Sequence, residues 1–550
     1  MTERNKELLE EKFLNKKGKK DTKFTKTKVT RKTKSKNDKG SRTKKYGEDA
    51  VTNTPQSALS DVHSNDPRWY ASSEQLLKDA FSLSMPYQLG AGFTSNLPSS
   101  DPATMTQKTY YAPGICTIRL APLPGKSSNG SSPVNLAAHK ICAWVRHANS
   151  GHANYDPADL MMYILAMDNA YMLYNFLVRA YGVMRLYNQV NRYTPKMLVQ
   201  AMHLDFDDLN KNLANFRYKI NYFANALASF AVPATLPYIT RHQWLFQDVY
   251  TDEPDFKSQL YMFIPECLYK WNEKVVSPGS AEVPGYLSPV LIGGYTNPNN
   301  NDLLTYSDIS QMIDQFLSPL VTSEDFNIMG GDIIKAYGLN NCLVIHEIDE
   351  NYTVIPVPEE TALKQIENSN CFERVDLSGN ITQSADGAII CTPGLTLRDV
   401  DRREYDILNF HQDIVTPEDI AEATRLMSAP DDVNGGFWSF GSELPVKTEY
   451  YTINPSSSSG FDKVSLGDGY RVNLNSISNG YSSFCTVSNF YRHPITAVYE
   501  FETSTTDSAT NFYGYFGNLD NYTFIDPNTL SKMHETALLS LFDVPQLAGT

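Results

Sequence analysis

The stretch "DPADLMMYILAMDNAYMLYNFLVRAYG", residues 156–182, constrains the fold of this chain more than any other. Asp156 is a natural helix cap, Pro157 suits the first helical position, and Asp159 complements the positive end of the helix dipole. Beyond this start, Leu160, Met161, Ile164, Leu165, Met167, Met172, Leu173, Phe176 and Leu177 occupy nearly every face. A helix that is apolar all round must be surrounded by protein, so the spacing predicts the central helix of a domain. Leu165 and Leu173 are expected to be fully buried.

Other segments take their places around it. "RWYASSEQLLKDAFSL" begins an ordered body, with Ser72 or Ser73 capping a helix that turns Leu76, Leu77, Ala80 and Phe81 inward. "APGICTIRLAPLPG", 112–125, is a short β-like run between breakers. Helices are predicted over 135–148, 194–203, 206–230 and 255–274. From about residue 276, Pro, Gly, Asn and Ser punctuate shorter runs. Strand-like pieces occur at 341–348, 352–357 and 387–392, and a helix over 416–429 is capped by Thr416. The aromatic–polar alternation after residue 437 predicts antiparallel strands, and 528–544 an amphipathic helix. The residues thus predict an α-rich region followed by a mixed region with substantial β-structure. At 550 residues the chain exceeds the roughly 250–300 at which one core stops growing, which suggests two domains plus a tail.

The charge is divided sharply. Residues 1–45 hold 18 Lys+Arg and 6 Asp+Glu, a net +12. Of the chain's 48 basic and 62 acidic side chains, 30 and 56 remain for positions 46–550, a net −26. Residues 1–60 have little apolar area to offset ordering entropy, so a disordered basic arm is expected. Its cations are Lys16, Lys17, Lys19, Lys20, Lys23, Lys26, Lys28, Arg31, Lys32, Lys34, Lys36, Lys39, Arg42, Lys44 and Lys45 within 16–45. Such a segment neutralises phosphates without reading sequence, and the dominance of Lys over Arg fits charge rather than base readout. An import signal, a solubilising tail and an anchor to anionic membrane share this composition.

Catalytic and cofactor motifs are not found. There is no phosphate loop, and "GAGFTS" at 90–95 only echoes one. No nucleophile elbow, His-Glu-x-x-His or Cys/His zinc spacing occurs. His147 and His152 could be drawn as metal ligands with Asp156, but a hydrogen-bonded turn between helices explains them as well. No cofactor or metal is expected. The seven cysteines are widely spaced and read as buried, reduced thiols of an intracellular product, and "MTERNKELLEEKF" lacks the apolar core of a secretory signal. No run of about 20 apolar residues exists. The nearest, 223–239, is broken by Asn225, Pro233 and Pro237, so stable membrane insertion is not expected.

"NDPRWYASSEQLLKDAFSLSMPYQLG" (65–90), "APGICTIRLAPLPG" (112–125) and above all "VRHANSGHANYDPADLMMYILAMDNAYMLYNFLVRAYGVMRL" (145–186) resemble the capsid protein of picobirnaviruses, and "NRYTPKML" (191–198) continues the match. The resemblance covers about 65–200 by motif and the rest by length, order and texture. It implies a coat protein of a small, non-enveloped double-stranded RNA virus, a component of the virion assembled in the host cytoplasm. It implies an α+β fold: a predominantly α-helical shell domain plus a mixed, β-containing protruding domain, after the disordered basic arm. The corresponding division is 1–60 for the RNA-facing arm, 61–275 for the shell, and 276–550 for the protruding domain, with a possible return of the C-terminal helix to the shell. The implied partners are a second copy in a homodimer, further copies in an icosahedral shell, and genomic or host RNA at the arm; the host receptor is not read. Asn65, before Asp66 at the tail–body junction, is a candidate for self-cleavage, with an ordinary linker Asn as its alternative. The competing classes are a nucleic-acid-modifying enzyme, for which no catalytic constellation is found, and a non-viral RNA-binding structural or adaptor protein.

Overall fold

A computed structural model describes residues 72–82, 92–96, 107–111, 114–150, 155–186, 194–253, 258–273, 284–293, 303–372, 375–395, 405–431, 436–454, 461–466, 470–472, 486–501 and 509–543. The chain divides at residue 85 into two compact units. The described part of the first is helix α1 (Glu74–Phe81), capped by the Ser73 hydroxyl, which accepts from the Leu76 amide. The cap fits the sequence, but the expected inward face does not: Leu76, Leu77 and Phe81 are exposed. Among the described residues of this unit there is no second element for that face to pack against.

The second unit contains eleven α-helices among the described residues: α2 (Pro133–Ala148), α3 (Pro157–Met184), α4 (Thr194–Ala201), α5 (Phe206–Lys211), α6 (Leu213–Leu227), α7 (Pro237–Gln247), α8 (Tyr306–Thr322), α9 (Glu324–Tyr337), α10 (Glu360–Glu367), α11 (Pro417–Ala423) and α12 (Pro527–Leu541). Its main strands are β1 (Gly114–Pro122), β2 (Tyr250–Thr251), β3 (Leu260–Pro265), β4 (Cys267–Asn272), β5 (Tyr286–Leu291), β6 (Val357–Pro358), β7 (Asp406–Phe410), β8 (Glu443–Ile453), β9 (Phe461–Leu466) and β10 (Asn521–Ile525). The fold is α+β, as expected.

α3 is the predicted central helix. The Asp156 amide donates to the Asp159 carboxylate at 3.0 Å, and the helix then runs 28 residues with almost every side chain buried, Leu165 and Leu173 included. Its few polar residues bind it to its surroundings. Asp168 pairs with His242 of α7 at 2.6 Å. Asn169 accepts from the Tyr269 amide of β4 at 2.8 Å, and Arg179 donates to the Phe263 carbonyl of β3 at 2.8 Å. Burial holds the Arg179 guanidinium down to about 10. Near the end of α3, a Cβ on Gly182 would lie 2.6 Å from Val354 Cγ2 and 2.9 Å from the Val354 amide nitrogen, so only glycine admits this approach.

The six-stranded sheet has the order β9–β8–β1–β3–β2–β6. All nine residues of β1 are buried, which fits its reading as an apolar run between breakers. β1 is antiparallel to β8, with Tyr451 opposite Ile115, and parallel to β3, with Ile118 opposite Phe263. The parallel pair requires a crossover, and helices α2 to α7 provide it. The core around α3 draws on both sides of residue 275: Ile313 and Phe316 of α8, Ile333 of α9, Ile366 of α10 and Tyr450 of β8 join it. A smaller cluster gathers Leu408, Phe410, Met427, Ile525 and Leu530 where β7 and β10 pair.

Several local expectations change. Of the helix predicted over 255–274, the described residues 258–273 hold instead the strands β3 and β4, separated at Glu266 and belonging to different sheets. A continuous apolar run such as 260–264 has no periodicity to distinguish the two, and burial in a sheet decides it. Residues 343–349 belong to no helix or strand: the Leu343 amide bonds the Val232 carbonyl, and the Ile348 amide the Asn221 side chain. From 352–357 only Val357 enters a strand, and from 387–392 only Ile389 and Ile390 do, with Cys391 in an isolated bridge. The helix expected over 416–429 stops at Ala423, where a 3-10 turn leads into a strand over Ser428–Asp431.

α12 packs on the helical part of the unit. Leu538 joins the main core, and its Cδ1 lies 2.3 Å from where a Cβ would stand on Gly125, whose φ of +79° also demands glycine. Phe542 stacks on Tyr238 at 4.5 Å, and Lys140 of α2 reaches Asp543 at 3.0 Å.

Candidate assembly and RNA-facing elements

The fifteen arm cations from Lys16 to Lys45, and Asn65, lie outside the described residues, as do His152 and Cys485. His147 is exposed on α2, and Asp156 stands at the start of α3, where its backbone amide donates to the Asp159 carboxylate. The other six cysteines are buried free thiols, and burial pushes Cys267 and Cys391 up to about 12.

Three buried charge networks hold the unit together. In the first, Arg119 of β1 donates through Nε to Glu449 of β8 at 2.6 Å and through Nη1 to Glu266 at 3.2 Å. Lys463 of β9 and the Tyr451 hydroxyl also donate to Glu449. Burial works against the Glu449 carboxylate, but Arg119, Lys447 and Lys463 outweigh it and hold the carboxyl well below its usual range. His203, at a left-handed φ of 69°, lies 3.4 Å from Arg119, and burial beside that cation pulls its imidazole down to about 4.

The second network joins α3, α7 and β8. Beyond its bond to Asp168, His242 lies 3.4 Å from Glu443, and Glu443 receives two bonds from Arg241, at 2.7 and 2.8 Å. Burial pulls the His242 imidazole down, yet the two facing carboxylates raise it to about 9, so the ring is cationic at neutral pH. The set holds the parts of an Asp–His relay, with Ser442 adjoining. However, Asp168 and His242 are wholly buried, so no substrate reaches the ring. The third network links Glu367 of α10 to His411 at 2.8 Å and to Arg492 at 3.0 Å, while Asp520 holds the other face of His411. The Glu367 bond leads in raising the His411 imidazole. Sequence reasoning found none of these networks, because their members lie far apart along the chain.

The outer surface keeps aromatic side chains in water. Trp144 of α2, Tyr218 and Tyr222 of α6, and Tyr522 and Phe524 of β10 are all about half exposed or more. Tyr522 and Phe524 meet edge to face at 6.1 Å. Aromatic groups with polar tips are the side chains favoured where protein meets protein. No described helix is long and apolar enough to cross a membrane.

The model of the picobirnavirus capsid protein family matches residues 69–439. The chain belongs to that family. A capsid protein precursor from Human picobirnavirus is 30% identical over 533 residues, covering 88% of this chain and 91% of the relative. A crystal structure of the picobirnavirus capsid shares the fold, with a TM-score of 0.72 at 22% identity over 88% of this chain and all of that one. Picobirnaviruses are double-stranded RNA viruses, and this family supplies their coat. The chain is accordingly a structural component of the virion and not an enzyme.

Proposed function

We propose that this chain dimerises, that the dimers close into an icosahedral shell around double-stranded RNA, and that the arm cations from Lys16 to Lys45 hold the RNA non-specifically. The observation that carries the RNA reading is the charge division: net +12 over residues 1–45 against net −26 in the remainder. A polyanion attracts the first and repels the second, which favours RNA on the arm and keeps it off the body. The exposed aromatic groups of α2, α6 and β10 support contacts between copies. The wall is built on residues 61–275 and completed by the elements beyond 275 that share its core; the rest of 276–550 projects outward. The packing of Leu538 and Phe542 supports a return of α12 to the wall. Assembly takes place in the host cytoplasm.

The test is RNA binding by subunits released from particles, across a salt series. Replacing Lys16, Lys17, Lys19, Lys20, Arg31, Lys32, Lys34 and Lys36 with Gln removes eight charges. The log–log salt slope is then expected to fall by roughly 0.7–0.9 per lost phosphate contact, with less RNA encapsidated. A shuffled arm of the same composition should package as well as the native one. Unchanged slope and RNA content in the Gln variant would remove the arm from packaging, and a failing shuffled arm would point to specific recognition. Asn65 is a candidate for self-cleavage in mature particles, with an ordinary linker Asn as its alternative; an intact mass of 61.8 kDa rejects cleavage.

A further inference from the structure

His411 sits where the two hydrophobic clusters meet. It follows β7, which the smaller cluster holds through Leu408 and Phe410. Glu367 stands on α10, which the main cluster holds through Ile366. Asp520 stands one residue before β10. Both ring nitrogens of His411 face carboxylates: Nε2 lies 2.8 and 2.9 Å from the two oxygens of Glu367, and Nδ1 meets Asp520. The other charged or aromatic groups at the ring are Arg492, which donates to Glu367 at 3.0 Å and to Glu360 at 2.7 Å, and Tyr491, whose ring lies 5.2 Å away.

An ionised carboxylate only accepts, so each of these bonds needs a proton on the ring nitrogen. The imidazolium carries both protons. A neutral imidazole carries one, and its other nitrogen turns a lone pair toward a carboxylate. The two carboxylates are unequal. Glu367 is buried and also accepts from Arg492 and Asn409, so it is fixed in place. Asp520 is 60% exposed and free to turn into water. The remaining proton therefore stays on Nε2, and Asp520 is the partner that is lost. Asn368 holds the Asn409 amide and carbonyl of β7 through bonds that do not titrate. Neutral bonds from Asn409 to the Asn518 carbonyl and the Asp520 amide also remain, so the start of β10 loosens rather than detaches.

We propose that His411 is a proton latch: as a cation it fastens the start of β10 to α10, and on losing its proton it releases Asp520 and loosens that end of the strand. The Glu367 bond leads in raising the imidazole pKa and Asp520 adds to it, while burial and Arg492 oppose them. The latch is therefore closed below the ordinary histidine value of about 6.5 and opens as pH rises through the raised one. The strand it controls carries Tyr522 and Phe524. On the reading of β10 as a contact between copies, which this consequence rests on, alkali weakens that contact.

The experiment follows amide hydrogen exchange of released subunits by mass spectrometry at pH 6, 7.5 and 9, relative to the unfolded chain at each pH. Protection over residues 518–525 is expected to fall at least about tenfold from pH 6 to 9, beyond any fall shared by α3. His411→Ala should show the low protection at every pH. Asp520→Asn should show the high protection at every pH, because a side-chain amide accepts from the cationic ring and donates to the neutral one. A wild-type fall no greater than that of α3 overturns the proposal, as does an Asp520→Asn chain that keeps the wild-type fall. Sedimentation of particles over the same pH series reads the contact role of β10 separately. Particles as firm at pH 9 as at pH 6, beside the expected fall in subunits, overturn that role and leave the latch standing.

Discussion

Arg119 and Glu449 meet at 2.6 Å with almost no solvent on either side chain, although 330 residues separate them. The pair joins the neighbouring strands β1 and β8, one from each side of the sequence-based boundary at 275.

Arg119→Met leaves the buried Glu449 with Lys463, Lys447 and the Tyr451 hydroxyl but without its main partner. The loss of one partner of a buried pair is expected to cost about 3–5 kcal/mol. Arg119→Met with Glu449→Gln should recover part of it, since neither charge then remains uncompensated. Urea unfolding of released subunits measures both; a double variant no more stable than the single one would show that the pair is not the source of the loss.

The second network gives stability a slope on the alkaline side. The folded pKa of His242 is about 9, above the ordinary 6.5 of the unfolded chain. Its contribution is therefore complete below about pH 6.5 and disappears as pH rises through about 9. Unfolding midpoints of released subunits at pH 6, 7.5 and 9 should fall in that order, and His242→Gln should lower the midpoint at pH 6 while flattening the trend.

Leu165 lies in the third turn of α3 with 1% of its surface exposed. Leu165→Asp puts an unpaired carboxylate there at a cost of several kcal/mol, about as much as a domain has to spare. Expression should give insoluble protein. Assembled particles of this variant would mean that the position faces water.

If the body alone makes the contacts between copies, a chain beginning at Ser60 should still form dimers and closed particles. Negative-stain images and sedimentation decide this. Dispersed monomer after removal of residues 1–59 would assign the arm a part in assembly.

How much of this was visible in the sequence depends on how local each signal is. α3 was legible because its cap, its Pro157 and its unbroken apolar length all lie within one stretch. β1 was legible as an apolar run between Pro113 and Pro122. β3 was not, since Leu260 to Ile264 read equally well as a turn and a half of buried helix. The inward face assigned to Leu76, Leu77 and Phe81 failed because amphipathicity shows which side is apolar, not what it meets. The charge networks were out of reach for a different reason. Asp168 and Glu443 become neighbours only after the chain has crossed the sheet, and no spacing in the sequence marks them.

The position of β1 between β3 and β8 sets a clock on biosynthesis. A ribosome delivers Gly114–Pro122 more than 320 residues before Glu443–Ile453. At roughly 5–20 residues per second, that interval is about 15–65 s. Throughout it, one edge of β1 has no native neighbour, and the nascent subunit cannot offer a finished surface to another. Translation thus withholds the building block until its late strand arrives, and premature aggregation becomes a hazard for chaperones to manage rather than an early step of particle growth.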